Sequence, residues 1–168
     1  FGRNTAPAIA LAALKTLEKN YDPILLILSS DHKIDCEDNF KKVISEALID
    51  AQNGRLVTFG IVPDSPETKF GYIESYEEIS KDKTSSKIKK FIEKPNLELA
   101  KNLVKNKHYV WNSGIFLFKA STILNELKKY EPQIVEICHE SLKKGQKDLD
   151  FFRINEEVFT QCSNVPID

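Results

Sequence analysis

The stretch that decides the fold is Ile24-Leu25-Leu26-Ile27-Leu28, followed at once by Ser29-Ser30-Asp31-His32. Five aliphatic residues in a row are typical of a parallel strand that is covered on both faces. In open α/β sheets, ligands bind beyond the carboxyl ends of such strands. The pattern therefore predicts a buried strand at 24–28 and places Asp31 and His32 at the ligand-binding edge of the sheet.

Helix and strand patterns alternate on both sides of this run. An Ala- and Leu-rich helix is predicted over 5–19, capped by Asn4 or Thr5, and we expect it to pack against a sheet because it is apolar on most sides. A second helix over 38–52 precedes a buried strand over 56–61. This order favours crossover connections and a mainly parallel sheet.

Shorter elements fill the second half of the chain. The predicted elements are alternating strands over 71–78 and 88–93, a helix over 97–106, a strand over 110–118 interrupted by polar residues, and two or three helices between 120 and about 155. The whole chain is therefore predicted to be a mixed α/β domain.

Composition and charge exclude several classes of function. The 168 residues include 24 Lys and Arg against 25 Asp and Glu, which gives a formal net charge of −1. This length suits one domain with its own core, and the balanced charge argues against nucleic-acid binding. No apolar run approaches the roughly 20 residues that span a bilayer. We therefore expect a cytoplasmic protein that binds neither nucleic acid nor membrane.

The three cysteines, Cys36, Cys138 and Cys162, are far apart and form neither a CxxC pair nor a zinc-ligand pattern. We expect them to be free thiols. The sequence also contains no Walker pattern and no nucleophile-elbow signature.

Asp31 and His32 are the first candidates for chemistry. A carboxylate directly after a buried strand can hold Mg²⁺, which binds few carboxylates together with substrate phosphates, but an Asp here can equally cap the following turn. His32 could contact a nucleotide, carry a proton or orient Asp31, or have only a structural role.

A second pair of charges, Glu93-Lys94, lies at the end of a predicted strand that Pro95 terminates. Lys94 suits a phosphate and Glu93 can accept hydrogen bonds from sugar hydroxyls. The alternative is an ordinary surface salt bridge.

Two further positions suggest close approach of a ligand. Asn112-Ser113-Gly114 interrupts an apolar strand, and the Asn112 amide can both donate to and accept from a sugar hydroxyl. Gly71 opens a strand after a Pro-containing loop, where a ligand could reach its backbone N–H. The alternatives are a strand bulge and a turn glycine.

Taken together, six segments resemble one family, the mannose-1-phosphate guanylyltransferases, also called GDP-mannose pyrophosphorylases. They occur in the family's order over nearly the whole chain, and the resemblance is to the bacterial type that is often fused to a mannose-6-phosphate isomerase domain. The segments are Gly-Arg-Asn-Thr-Ala-Pro-Ala-Ile-Ala at 2–10, Ser-Asp-His at 30–32, Val-Thr-Phe-Gly-Ile-Val-Pro at 57–63, Pro-Glu-Thr-Lys-Phe-Gly-Tyr-Ile at 66–73, Phe-Ile-Glu-Lys-Pro at 91–95 and Trp-Asn-Ser-Gly-Ile-Phe-Leu-Phe at 111–118.

The resemblance implies a Rossmann-like nucleotidyltransferase domain that joins GTP and mannose-1-phosphate into GDP-mannose and pyrophosphate, with Mg²⁺, for polysaccharide biosynthesis. The sugar phosphate attacks the α-phosphorus of GTP in line, so catalysis rests on positioning and charge neutralisation. By the same resemblance, Asp31 is the first metal-binding acid. Asp168 is the second, although Pro166 stands where the family has Ser.

The resemblance also assigns the substrate contacts. Glu93 and Asn112 would contact mannose hydroxyls, Lys94 would hold the sugar phosphate and Gly71 would meet the sugar through its backbone. Asn4 and Thr5 would lie near the guanine.

One departure from the family is an absence. The family's Gly-rich triphosphate loop precedes the first matching segment, so we expect residues 1–168 to be a partial domain, truncated at the amino terminus, with little transferase activity of its own. Two other readings stay open: a related nucleotidyltransferase with another base or sugar, and a non-catalytic assembly module. Self-association is also left open.

Overall fold

The computed structural model describes residues 2–19, 21–80 and 85–167. These residues form a mixed α/β chain, as predicted. The helices are α1 (Thr5–Leu17), α2 (Glu37–Gln52), α3 (Leu97–Leu103), α4 (Ala120–Tyr130), α5 (Pro132–Lys143) and α6 (Glu156–Phe159). The strands are β1 (Ile24–Ile27), β2 (Val57–Ile61), β3 (Tyr72–Ser75), β4 (Ile88–Ile92), β5 (Tyr109–Lys119), β6 (Gln146–Asp148) and β7 (Phe151–Arg153).

The described residues divide into two compact units. The first unit is drawn from the described residues within 1–27, 34–57 and 117–168. The second is drawn from Leu28–Lys33 and Thr58–Phe116. Strand β5 begins in the second unit and ends in the first.

The first unit has a helical core. Helix α1 packs mainly on α4 and α5 rather than on a sheet, which corrects the expectation for this helix. Small side chains allow this close packing, since Ala6, Ala10 and Ala13 are all buried in α1. Helices α4 and α5 are amphipathic and contribute larger apolar side chains, among them Leu124 and Ile134.

The second unit is built on a sheet whose middle strand is β3. Strand β3 lies between β4 and β5 and is antiparallel to both. Strand β2 pairs with β5. The alternating segments at 72–75 and 88–92 thus pair as antiparallel neighbours, so the sheet is antiparallel around β3, where a mainly parallel arrangement was expected. The inner faces of β3 and β5 pack on α3 through a small core.

The aliphatic strands are less buried than their composition predicts. All four residues of β1 are half-buried, and Leu28 beyond its end is 49% exposed. Strand β2 has half-buried residues at its start and exposed ones at its end, where Ile61 is 52% exposed. A continuous aliphatic run therefore predicts an apolar strand, but it does not predict how deeply the described residues bury that strand.

One element was not predicted from the sequence. Residues 146–153 form the antiparallel hairpin β6–β7 where helix was expected. Its turn places Leu149 at a φ of 53°, a left-handed conformation that usually requires Gly or Asn. None of the helices in the described ranges is both long and apolar enough to cross a membrane.

Candidate functional site

Three residues proposed for sugar binding come together in the second unit. Gly71 directly precedes β3, Glu93 directly follows β4, and Asn112 lies within β5. Tyr72, the first residue of β3, pairs with the last residue of β4 on one side and with Trp111 on the other. In antiparallel strands this register sets Gly71 opposite both Glu93 and Asn112. We call these three residues the strand cluster.

Distances within the strand cluster are short. The Asn112 backbone N–H donates to the Gly71 carbonyl oxygen at 2.8 Å. A Cβ atom placed on Gly71 would lie 2.9 Å from Glu93 Oε2 and 3.7 Å from the Asn112 Cβ. Glycine at 71 therefore leaves the room in which the Glu93 carboxylate lies.

Lys94 stands beside this cluster in an unusual backbone conformation. Its φ is 40°, which a non-glycine residue adopts only where the surroundings impose it. Its Nζ lies 2.9 Å from Glu93 Oε1, and both side chains are exposed. Pro95, which follows, is buried and anchors the exit of the strand. An exposed pair of this kind contributes about 0–1 kcal/mol, so an incoming anion can open it at little cost.

The Asn112 side chain is held by neighbours on two strands. Its Oδ1 accepts from the Gly114 backbone N–H at 3.1 Å and lies 3.4 Å from the Thr58 Oγ1 of β2. Gly114 has a φ of 68°, so the backbone can turn back toward the amide without a Cβ penalty. The polar interruption does not end the strand, because β5 runs through it from Tyr109 to Lys119.

Thr58 is a contributor that the sequence analysis did not single out. The only local signal was a hydroxyl residue among the apolar residues of β2. Its contact with Asn112 depends on the pairing of β2 with β5, which local patterns do not reveal.

Aromatic side chains next to the strand cluster pack against one another. Trp111 meets Phe70 edge-on with ring centroids 5.2 Å apart, and it meets Tyr72 at 6.5 Å. Tyr72 is fully buried, and its hydroxyl donates to the Glu67 carbonyl at 3.0 Å. These contacts hold the backbone segments that carry Gly71 and Asn112.

Asp31 and His32 lie in an exposed turn after β1. In the part of the chain that the structure describes, no three His, Cys, Asp or Glu side chains are grouped as metal ligands. Mg²⁺ does not need such a group, because it commonly takes one or two carboxylates and completes its shell with phosphates and water. The exposed Asp31 carboxylate fits that chemistry, whereas Asp168 lies outside the described residues.

The candidate guanine residues belong to the first unit, at the start of α1. Asn4 is the N-cap, with a φ of 65°, and its side chain accepts from the Thr5 N–H at 2.9 Å. The Thr5 hydroxyl accepts from the Ile167 N–H at 2.9 Å. The Arg3 guanidinium donates to the Thr160 carbonyl. We call Asn4 and Thr5 the helix end. Their side-chain oxygens accept hydrogen bonds from the backbone N–H groups of Thr5 and Ile167.

All three cysteines are free. Cys36 is exposed, whereas Cys138 and Cys162 are buried. Burial raises the pKa of the Cys138 thiol to about 12, and burial also raises the pKa of Cys162. Neither buried thiol is suited to act as a nucleophile near neutral pH.

Comparison with known proteins relates this geometry to a family. Residues 1–157 match the nucleotidyl transferase family. The chain is 47% identical over 99% of its length to the mannose-1-phosphate guanylyltransferase of Escherichia coli K12, of which it covers 36%. It is 42% identical to the xanthan biosynthesis protein XanB of Xanthomonas campestris strain B100, of which it covers 35%.

Two solved structures have a similar fold. The crystal structure of mannose-6-phosphate isomerase from Helicobacter pylori matches 99% of this chain and 63% of its own, with a TM-score of 0.82 and 34% identity. That of mannose-1-phosphate geranyltransferase from Thermus thermophilus matches 100% of this chain and 46% of its own, with a TM-score of 0.83 and 27% identity. The chain thus spans about a third of the curated relatives, and the match over residues 1–157 shows that it belongs to the nucleotidyl transferase family.

Proposed function

We propose that the protein containing this chain transfers GMP from GTP to mannose-1-phosphate, giving GDP-mannose and pyrophosphate. The observation that carries the proposal is the convergence of Gly71, Glu93 and Asn112, three positions that the family resemblance gives to the sugar. The names of the relatives, mannose-1-phosphate guanylyltransferases, support the same reaction.

In this reaction a phosphate oxygen of mannose-1-phosphate forms a bond to the α-phosphorus of GTP. The bond from that phosphorus to the bridging oxygen breaks, and pyrophosphate leaves with the electron pair. No protein nucleophile is needed, so the residues of the chain act by holding the reactants in line.

The strand cluster would hold the sugar. Glu93 would accept hydrogen bonds from mannose hydroxyls, and Asn112 offers a donor and an acceptor on one planar amide. The Gly71 backbone lies between them, where a side chain would displace the carboxylate. This arrangement supports binding of a ring with several neighbouring hydroxyls.

Lys94 would hold the phosphate of the sugar. Its ammonium group pairs with Glu93 in the structure, in an exposed pair that a phosphate can open. When Lys94 turns to the phosphate, Glu93 becomes available to the sugar. The positive φ of Lys94 fits a residue held in place for binding.

Asp31 would hold Mg²⁺ together with substrate phosphates, and Asp168 would be its second acid. Bound there, Mg²⁺ would reduce the repulsion between the negatively charged reactants. The exposed position of Asp31 in a turn after β1 supports this role.

The helix end would contact the guanine. The Thr5 hydroxyl accepts from Ile167 and keeps its own proton for donation. The Asn4 side-chain oxygen Oδ1 accepts from the Thr5 backbone N–H, so the side-chain NH₂ group is the one that would contact a base. Cytoplasmic location stays a prediction from the sequence.

The test is pyrophosphate release by the whole protein that carries this chain, because the chain covers only about a third of its relatives. GTP and mannose-1-phosphate would be compared with UTP, ATP and glucose-1-phosphate, each with Mg²⁺. An Asp31→Ala variant would be run beside Asp150→Ala, an exposed aspartate in the β6–β7 turn.

Release with GTP and mannose-1-phosphate that is lost in Asp31→Ala and kept in Asp150→Ala supports the reaction and the metal role. Preference for another base or sugar would establish the related nucleotidyltransferase instead. No release with any pair would favour the non-catalytic module.

A further inference from the structure

We propose that Thr58 is a positioning residue for sugar binding: its hydroxyl, with the Gly114 N–H, fixes the Asn112 amide so that the NH₂ end is presented to a mannose hydroxyl. This inference rests on the proposed function and assigns a role to a residue of β2 that touches no reacting atom.

The orientation of the Asn112 amide follows from its donors. The Gly114 backbone N–H can only donate, and it lies 3.1 Å from one terminal atom of the amide. That atom must therefore be the oxygen, Oδ1, and the opposite end must be the NH₂ group.

Thr58 contacts the same oxygen from the neighbouring strand and restrains its position. Its Oγ1 lies 3.4 Å from Asn112 Oδ1 and 3.1 Å from the Ile115 carbonyl oxygen. Both neighbours are acceptors, and the Ile115 carbonyl is the nearer, so the contact with Asn112 is the weaker of the two. The rotamer of Thr58 is restricted because it is β-branched and lies half-buried in a strand.

A flipped amide would be penalised at Gly114, because its NH₂ group would then face the Gly114 N–H, donor against donor. The Thr58 hydroxyl could accept from that NH₂ group, so Thr58 restrains the position of the amide and Gly114 sets its orientation. The sugar would meet a carbonyl oxygen in place of an N–H. Removal of the Thr58 hydroxyl takes away one of the two restraints and leaves the other, so a partial loss is expected.

The test compares Thr58→Val, which keeps the shape and loses the hydroxyl, with Thr58→Ser, which keeps the hydroxyl. In the whole protein, Thr58→Val is expected to raise KM for mannose-1-phosphate about three- to tenfold, the worth of one hydrogen bond. KM for GTP should change less than twofold, and Thr58→Ser should restore most of the affinity. Thr16→Val is the matched control, because its hydroxyl bonds only its own helix carbonyls.

A double-mutant cycle separates positioning from folding. If Thr58 acts through Asn112, Thr58→Val should have no further effect on KM in an Asn112→Ala background. An equal effect in both backgrounds would overturn the proposal, as would an unchanged KM in Thr58→Val. If Thr58→Val does not fold, Thr58→Ala replaces it with the same expected KM and the same cycle.

Failure of this inference differs from failure of the proposed reaction. A wild-type protein that releases no pyrophosphate overturns both. A wild-type protein with normal kinetics and an insensitive Thr58→Val variant overturns the role of Thr58 alone.

Discussion

The strand cluster and the helix end are built in opposite ways. In the strand cluster, the register of β3 with β4 and β5 sets Gly71 between Glu93 and Asn112, and both side chains border the space that a Cβ at Gly71 would fill. At the helix end, Asn4 and Thr5 direct oxygen atoms at backbone N–H groups of their own unit. The comparison teaches that strand register brings together side chains that are distant in sequence, whereas a helix cap uses side-chain oxygens to satisfy the backbone nearby.

The largest expected effect comes from removing the carboxylate of the strand cluster. Glu93→Ala should lower kcat/KM for mannose-1-phosphate about 100-fold, the loss expected for two hydrogen bonds to a charged group at roughly 1.5 kcal/mol each. Steady-state kinetics with either substrate varied would measure it. Glu98→Ala, an exposed acid in the first turn of α3, is the control and should stay within twofold. Equal losses in both variants would contradict the assignment.

Gly71→Ala should have the next largest effect. The new Cβ would lie 2.9 Å from Glu93 Oε2, so the exposed carboxylate must move. We expect about a tenfold loss in kcat/KM for mannose-1-phosphate, since displacement of a binding group by less than 1 Å is costly in an active site. The melting temperature should hardly change, because the group that moves is the end of a flexible side chain.

A sharper form of this prediction uses both substitutions. In a Glu93→Ala background, Gly71→Ala should cost nothing further, because the clash has been removed. A full additional loss there would mean that the Gly71 backbone acts without Glu93.

At the helix end the main effect should be on stability. Asn4→Ala removes the cap and leaves a β-carbon at a φ of 65°, so we expect a loss of about 1–2 kcal/mol in the free energy of unfolding. Asn4→Gly tolerates that φ and should cost only a few tenths of a kcal/mol. Urea unfolding of both variants would measure the difference. Equal stability of the two variants would show that a β-carbon at this φ carries no penalty, and wild-type stability in both would show that the cap contributes nothing.

The smallest effect is expected on the reaction rates of the three thiols, which all lie in the first unit. Near neutral pH, a disulfide reagent should modify Cys36 quickly and Cys138 slowly, because the thiolate reacts and the pKa of Cys138 is raised by burial to about 12. Raising the pH to 9 should leave modification of Cys138 slow, because its pKa of about 12 lies well above that pH. Thr5→Val, which loses the bond to Ile167, should modestly speed modification of Cys162. Unchanged labelling of Cys162 would show that the segment 160–167 does not depend on Thr5.

The sequence was informative where local pattern decides structure. The aliphatic run at 24–28 located β1, and the Ala-rich stretch located α1 within two residues of its end. Local pattern could not show that α1 packs on helices, that β3 is antiparallel to both neighbours, or that β1 is only half-buried. Those facts depend on which segments meet across long stretches of chain.

In the candidate site, too, local pattern identified residues but not their long-range contacts. Each residue of the strand cluster could be proposed from its own segment, but its partners are fixed by strand register. Thr58 was missed because its contact with Asn112 joins β2 to β5. The hairpin β6–β7 was missed because Gln146-Lys147-Asp148 is polar and its turn uses Leu149 instead of glycine at a positive φ.

The central claim, that the strand cluster binds the mannose ring, is tested most directly by calorimetric titration of the whole protein. GDP-mannose and GTP would each be titrated into the wild type and into Glu93→Ala. We predict that the variant binds GDP-mannose at least tenfold more weakly and binds GTP with unchanged affinity. An unchanged affinity for GDP-mannose, or equal weakening for both ligands, would contradict the claim.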